Sequence, residues 1–567
     1  MKRKSFSILL GLVFVFAVSS CDLFDLDINT DPNNPATVSP ALLLNNVEVD
    51  GMGGIVGNFN TTGMGFVVQT DANDNFFFNN QSWNGTWNSL YTGPLKDLDE
   101  LLKIVEQDLT GDGVPDQPRY LGIAQVLKAY FFSTLVDWWG DIPYSEAFKG
   151  NAADQIKTPV YDDDAAIYAD CISLLDKAIA NLALPSPSAV VGDIIYGGSA
   201  ARWTKAAKSL KLKLLLQTSR VQNNTAAIQA LMNDQTGLIT AAADDFLVQF
   251  STSVTPDYRH PNYAMRGAGY GGGYIAHQFM FELLVNDDPR LPFYIKRQTK
   301  TVLDPSDATQ KQTIPCSQRA DCVYGYFPLS NYVTQAVYGK APGDLSTAEK
   351  EYLAGFFGRD RADPSGIPDD AGLRTAHGLY PFGGLYDNAT PEPANNNKGR
   401  GDGIFPIATS WMVKFWQIEA MLTLGVTHPT QSVAQLFTAA MNEQMAKVNT
   451  FVSKDPTRAV AMTAADISDY VADWDARLAA ATTDSQRLGV VLKQAWFCNY
   501  GNGLELYNTF RRTGLPGDLQ TPLQLPGNFA LSIPYAQDEL NLNPNTPVKQ
   551  YDAPAGAVFW DALKFQF

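Results

Sequence analysis

Histidine, cysteine and positive charge are scarce in this 567-residue chain, and each scarcity narrows what it can do. Only four histidines occur, His260, His277, His377 and His428. None stands in an HExxH pair or at ligand spacing from another, which argues against a histidine-based zinc centre. Lys and Arg number 42 against 59 Asp and Glu, a net charge of −17. A non-specific nucleic-acid binder needs the opposite balance to neutralise phosphates, so that class is set aside. No GxSxG nucleophile elbow and no GxxxxGK[ST] phosphate loop is present. A glycosidase needs only two carboxylates at the right separation, and a chain this acidic offers many chance pairs.

Long apolar runs are also few. Phe6 to Val18 is one, preceded by Lys2, Arg3 and Lys4, and it is too short for a membrane span with such flanks, so it reads as a secretory signal over residues 1–20. The run ends Val18, Ser19, Ser20, Cys21, an order that resembles the lipobox of bacterial lipoproteins, with Cys21 as the lipidated residue. Acyl chains on Cys21 would hold the chain at a membrane, and residues 21–40, rich in Asn, Asp and Pro turns, read as its tether. Cys316 and Cys322 lie close together in a polar stretch, where a local disulfide is the economical reading. Cys171 and Cys498 sit among apolar residues and read as buried thiols.

What is abundant is apolar and aromatic material, 45% and 11% of the chain. It recurs at helical spacing. Tyr120, Ile123, Ala124, Leu127, Phe131, Leu135 and Trp138 make one face of a helix that Gly140 and Pro143 terminate. Residues 83–105, bent at Pro94, pair with it; 162–182 pairs with 202–221, 411–424 with 433–452, and 465–481 with 486–512. About four hairpins predict a mainly α, tetratricopeptide-like superhelix, in which each pair buries its apolar face on its neighbours. The helical body occupies 41–240 and 410–514. Residues 241–409 carry Gly, Pro, Asn and aromatics, with a helix at 274–285 and another near 347–357, and predict an inserted loop-rich lobe. A loop-rich tail fills 515–567.

Several short stretches are more specific than periodicity. Trp139 to Ala147 reads WGDIPYSEA, Asp288 to Leu291 reads DPRL, Tyr380 to Gly384 reads YPFGG, and Arg511 to Gly514 reads RRTG before Pro516. With the NTDPNNP opening, their order resembles the SusD/RagB outer-membrane lipoproteins across the mature chain. At the end Pro534, Tyr535, Glu539 and Asn541 fit that pattern, whereas Ser532 and Ala536 depart from it. The resemblance implies a surface-exposed, lipid-anchored, non-catalytic protein that captures an oligosaccharide or peptide. It also implies delivery to a SusC-like TonB-dependent transporter. The rival classes are a surface glycoside hydrolase and a structural or adhesion lipoprotein.

Aromatic residues in polar loops are the candidate ligand contacts, because flat rings cover apolar patches while amides and charges orient polar groups. One set is Asp74, Asn75, Phe77 and Trp83; the other is Tyr258, Arg259, Tyr263, Tyr270 and Tyr274. The GAGYGGG run at 267–273 lacks the preceding strand of a dinucleotide site and reads as a flexible turn. No cofactor motif is present. Asp108, Asp112 and Asp116 fall at positions 1, 5 and 9 of an EF-hand-like loop, a candidate calcium site, although Arg119 occupies position 12.

Overall fold

The computed structural model describes residues 38–71, 80–151, 155–234, 236–263, 274–297, 339–346, 356, 358, 361, 375–389, 399–520, 522 and 528–563. Helices dominate them. The chain enters through a helical segment α1 (residues 40–66), in which the α-helical pieces Pro40–Asn46, Met52–Gly54 and Asn60–Phe66 alternate with the π-helical turns Val47–Gly51 and Ile55–Phe59. This helix was not expected. Its glycines carry low helix propensity and its wide turns erase the 3.6-residue period by which helices are recognised.

α2 (Asn84–Thr92) and α3 (Pro94–Val105) follow as predicted, with Pro94 opening α3 where a missing N–H costs nothing. The central helix α4 (Pro118–Trp139) packs against α3 on one side and α5 (Asp164–Leu182) on the other. The expected single apolar face is therefore too modest: Leu121, Val126, Phe132, Val136 and Trp139, off that face, are buried as well. Each such side chain fully removed from water contributes about 1.5–3 kcal/mol. Gly140 takes φ +76°, a conformation open mainly to glycine, and its N–H closes the helix on Val136 O at 2.8 Å.

The WGDIPYSEA turn after α4 binds the start of α5. Asp141 accepts from the Asp164 N–H at 2.9 Å, and Asp162 accepts from the Tyr144 and Ser145 N–H groups at 2.9 and 2.8 Å. From there the stack continues through α6 (Ala200–Gln217), with the short α7 (Thr225–Asn233) beside it, to α10 (Ser410–Leu424), α11 (Val433–Asn449), α12 (Ala464–Ala480) and α13 (Asp484–Cys498). The expected helix over 486–512 is in fact two. It breaks at Asn499 to Asn502, where Gly501 has φ +88° and the Asn502 side chain caps α14 (Gly503–Thr513) by accepting from the Glu505 N–H at 3.0 Å. α14 then crosses α1 with backbones in contact: a Cβ on Gly503 would lie 2.2 Å from Met64 N.

Between the two halves, the described residues of 241–409 contribute the helix α8 (His277–Val285), the short turn α9 (Leu291–Tyr294) and five of the six strands of three two-stranded ladders. β1 (Thr70–Asp71) pairs with β3 (Tyr274–Ile275), β2 (Phe246–Gln249) with β6 (Ile404–Ala408), and β4 (Ile295–Lys296) with β5 (Ala376–His377), all antiparallel. The helix expected near 347–357 lies almost wholly outside the described residues. The tail, with α15 (Gln537–Leu542), lies over the end of α4: Ile533 N–H donates to Trp138 O at 2.9 Å, and the Trp139 indole donates to Pro534 O at 3.1 Å. Ser532, off the family pattern, is buried and donates to Gly556 O.

Buried ions tie these layers together. Arg512 forks onto both oxygens of Glu419 at 2.6 and 2.8 Å. Arg511 donates to Asp137 O at 2.6 Å and Leu531 O at 2.9 Å, with its guanidinium 3.8 Å from the Tyr507 ring. Buried charge is tolerated because each ion has several fixed partners. Cys171 and Cys498 are buried thiols, as expected. Among the described residues no helix is long and apolar enough to cross a membrane. Cys21, Cys316 and Cys322 lie outside the described residues.

Candidate functional site

The two chain regions that carry the aromatic candidates meet. Asp71 is paired directly with Tyr274 in the β1–β3 ladder, so the segments holding Asp74, Asn75, Phe77 and Tyr270 are attached to the same end of one ladder. Those four residues lie outside the described residues.

The remaining candidates separate by burial. Trp83 is 1% exposed, not a loop contact, and its ring centroid lies 5.5 Å from that of Phe59, 5.8 Å from Trp138 and 5.9 Å from Trp139. It is a core residue: Trp83 sits one residue before α2, which places it on the stripe that faces α4. Tyr263 and Tyr274 are also buried, the first donating from its hydroxyl to Gly399 O at 2.5 Å. Tyr258 is 47% exposed. Arg259 beside it is held by Asp257 through two bonds of 2.9 and 2.7 Å and stacks 5.4 Å from the Tyr263 ring. The side-chain bond to Arg259 holds Asp257 down at about 2, so the carboxylate is ionised at physiological pH. Tyr258 and Arg259 thus present a ring and a charge to solvent from a braced turn.

The histidines serve the fold. His260 is buried between Phe250 and Phe382, and burial pushes it down to about 3, so it is neutral at physiological pH. His277 accepts from the Gly358 N–H at 3.0 Å, His377 bonds the Tyr500 hydroxyl, and His428 accepts from the Gln431 N–H at 3.0 Å.

The acidic loop at 108–116 turns inward. Asp108 accepts from the Gly111 and Gly113 N–H groups at 2.7 Å each, and Asp116 accepts from the Leu109 N–H at 3.0 Å. The Gly113 amide is the main cause holding the Asp108 carboxyl below its usual range. These oxygens stabilise their own turn, and the three carboxylates do not converge on one point. Among the described residues the convergent trio is Asp141, Asp163 and Asp164, whose oxygens accept from the first amides of α5 and from Phe559 N–H.

A cleft of about 770 Å³ was not anticipated. It lies between the DPRL turn and α12. Asp288 accepts from the Arg290 N–H at 2.9 Å, and Arg290, fully buried, returns two bonds to Asp288 at 2.8 and 2.6 Å. It also reaches Gln444 and Tyr470 at 3.0 Å, so the turn is fixed to α11 and α12. A second cleft of about 380 Å³ adjoins the first, sharing Leu291, Pro292, Tyr386 and Val460. Family resemblance singled out the DPRL stretch but could not show that its far side is hollow.

Comparison with known proteins decides the family. Residues 32–342 match the family model SusD-like, described as starch-binding associating with outer membrane. The chain belongs to the SusD-like family. Solved structures share the fold across nearly the whole length of this SusD-like chain. A SusD homologue from Bacteroides fragilis is 18% identical with a TM-score of 0.63, covering 92% of this chain and 99% of its own. A chitin-binding protein is 20% identical with a TM-score of 0.63, covering 92% and 100%. A chitin-binding SusD homologue from Flavobacterium johnsoniae is 16% identical with a TM-score of 0.58, covering 92% and 98%. No curated protein sequence matches it. Its family stretches are structural joints: WGDIPYSEA caps α5, DPRL anchors α11 and α12, and RRTG joins α14 to α4 and α10.

Proposed function

We propose that this SusD-like chain is a nutrient-binding lipoprotein of the outer-membrane surface, anchored through Cys21. In this reading it captures an oligosaccharide or peptide and hands it to a SusC-like TonB-dependent transporter, without making or breaking a bond and without a metal or cofactor. The observation that carries the reading is the family match over residues 32–342, whose description joins glycan binding to the outer membrane. Chitin binding by two structural relatives supports a glycan. The β1–β3 pairing supports a site at the end of that ladder, to which the segments holding Phe77 and Tyr270 are joined, and the exposed ring of Tyr258 with Arg259 beside it is a separate candidate contact.

The partner is tested by purifying a tagged full-length chain from detergent-solubilised native membranes. A large β-barrel with a plug recovered in stoichiometric amount is the expected result. Recovery of the chain alone under gentle detergent would count against delivery and favour an adhesion role.

A further inference from the structure

We propose that a closed polar cavity against the C-terminal half of α4 is a binding site for one internal water molecule, which bridges α4, α6 and α14. This goes beyond the nutrient reading and stands apart from it.

The first observation is the hollow itself. It measures about 10 Å³ and is lined by Tyr130, Thr134, Asp137 and Trp138 of α4, Lys213 of α6 and Asn508 of α14. None of these residues is more than 9% exposed. A cavity of this size admits a water molecule and nothing larger.

The second is an indole without a partner. Trp138 is fully buried, and its indole N–H meets no acceptor in the protein. Other buried indoles are satisfied: those of Trp139, Trp203, Trp411, Trp416, Trp496 and Trp560 each donate to a protein oxygen at 2.7–3.2 Å. A buried donor that loses its hydration and gains no acceptor is costly, so a lone donor beside a polar hollow calls for a guest that accepts. The third is an ammonium with donors to spare. Among the described residues the one ion pair of Lys213 is with Glu505 Oε2 at 3.0 Å, whereas an ammonium carries three N–H groups.

Charge decides what the guest is. The Asp137 carboxylate and the Lys213 ammonium line the same cavity, with Glu505 paired to the ammonium and Arg511 bound to the Asp137 carbonyl at 2.6 Å. An anion would face a carboxylate and a metal cation an ammonium, so a neutral molecule that both accepts and donates fits best. Water accepts from the Trp138 indole and the Lys213 ammonium. It donates to the hydroxyl oxygens of Tyr130 and Thr134; the Thr134 hydroxyl gives its own proton to Tyr130 O at 2.8 Å, which leaves its lone pairs for the guest. The Asp137 oxygens are already engaged, by the Tyr168 hydroxyl and the Trp560 indole at 3.1 Å and by the Asn508 amide at 2.6 Å. One water therefore ties together helices drawn from the first hairpins and from the end of the chain.

Two measurements on the full-length protein in detergent test this. A crystal structure that shows ordered water should hold one fully occupied density peak within hydrogen-bond reach of both Trp138 Nε1 and Lys213 Nζ, and crystals soaked in bromide or rubidium should give no anomalous signal at that peak. Independently, the ten tryptophans are labelled with nitrogen-15 and the Trp138 indole resonance is assigned by its loss in Trp138→Phe. That indole should show cross-relaxation at the water frequency, with the sign of a molecule that tumbles with the protein. Should Trp138→Phe fail to fold, the density decides alone. A cavity without density, an anomalous peak at the site, or a Trp138 indole with no cross-relaxation to water would each overturn the proposal. None of these outcomes depends on nutrient binding, so this inference and the nutrient reading fail separately.

Discussion

Replacing Arg290 by Ala should cost about 3–5 kcal/mol, because it strands a carboxylate that has no water to turn to. Asp288 is 3% exposed, and both its oxygens accept from Arg290, at 2.8 and 2.6 Å. The same guanidinium donates to Gln444 on α11 and to Tyr470 on α12. The damage should therefore concentrate in α8, α11, α12 and α13 rather than spread to α4. Hydrogen exchange resolved by peptide measures this locally, which suits a chain of this length better than one global transition. Amides of α12 should exchange about a hundredfold to a thousandfold faster in Arg290→Ala. The double variant Arg290→Met, Asp288→Leu should cost less than either single change, since it removes both charges together. A loss under about 1 kcal/mol in Arg290→Ala, or a double variant as costly as the two singles added, would refute the reasoning.

Further outcomes are expected elsewhere. Trp83→Ala should lower stability by about 3–5 kcal/mol in chemical denaturation, as for any large core aromatic. Tyr258→Ala should leave melting within about 0.5 kcal/mol of the parent while weakening ligand binding in calorimetry. Gly503→Ala should destabilise by about 1–3 kcal/mol, because the added Cβ meets the α1 backbone rather than a yielding side chain. Burial pushes the Asp245 carboxyl up to about 7. Between its unfolded value and that figure the folded protein keeps a proton the unfolded chain has released, so this group's contribution falls as pH rises from about 4 to about 7. Asp245→Asn should therefore gain melting temperature relative to the parent across that window and hold the difference above it; parallel profiles would contradict the assignment.

The helices α2 to α6 and α10 to α13 were legible because each shows an apolar stripe bounded by Pro, Gly or a capping side chain. α1 was not, since glycine-rich π turns carry no such period. The break before α14 hid behind Leu, Tyr and Phe that are apolar throughout. Among site residues, spacing cannot separate a tryptophan facing solvent from one facing α4, and Trp83 fell on the wrong side of that choice. The exposure of Tyr258 was legible because it follows a Pro-Asp turn. The cleft beside α12 was invisible in advance because its walls come from stretches more than a hundred residues apart, although the stripe of Asp466, Asp469 and Asp473 was there to be read.

Binding without conversion is the core of this account, and calorimetry of the purified protein against neutral chitin- and starch-derived oligosaccharides and short peptides addresses it, with chromatography of each sample afterwards. Saturable heat with at least one ligand and complete recovery of that ligand intact is the result expected. Shortened products that vanish when one carboxylate is replaced, or no saturable heat from any of them, would contradict it.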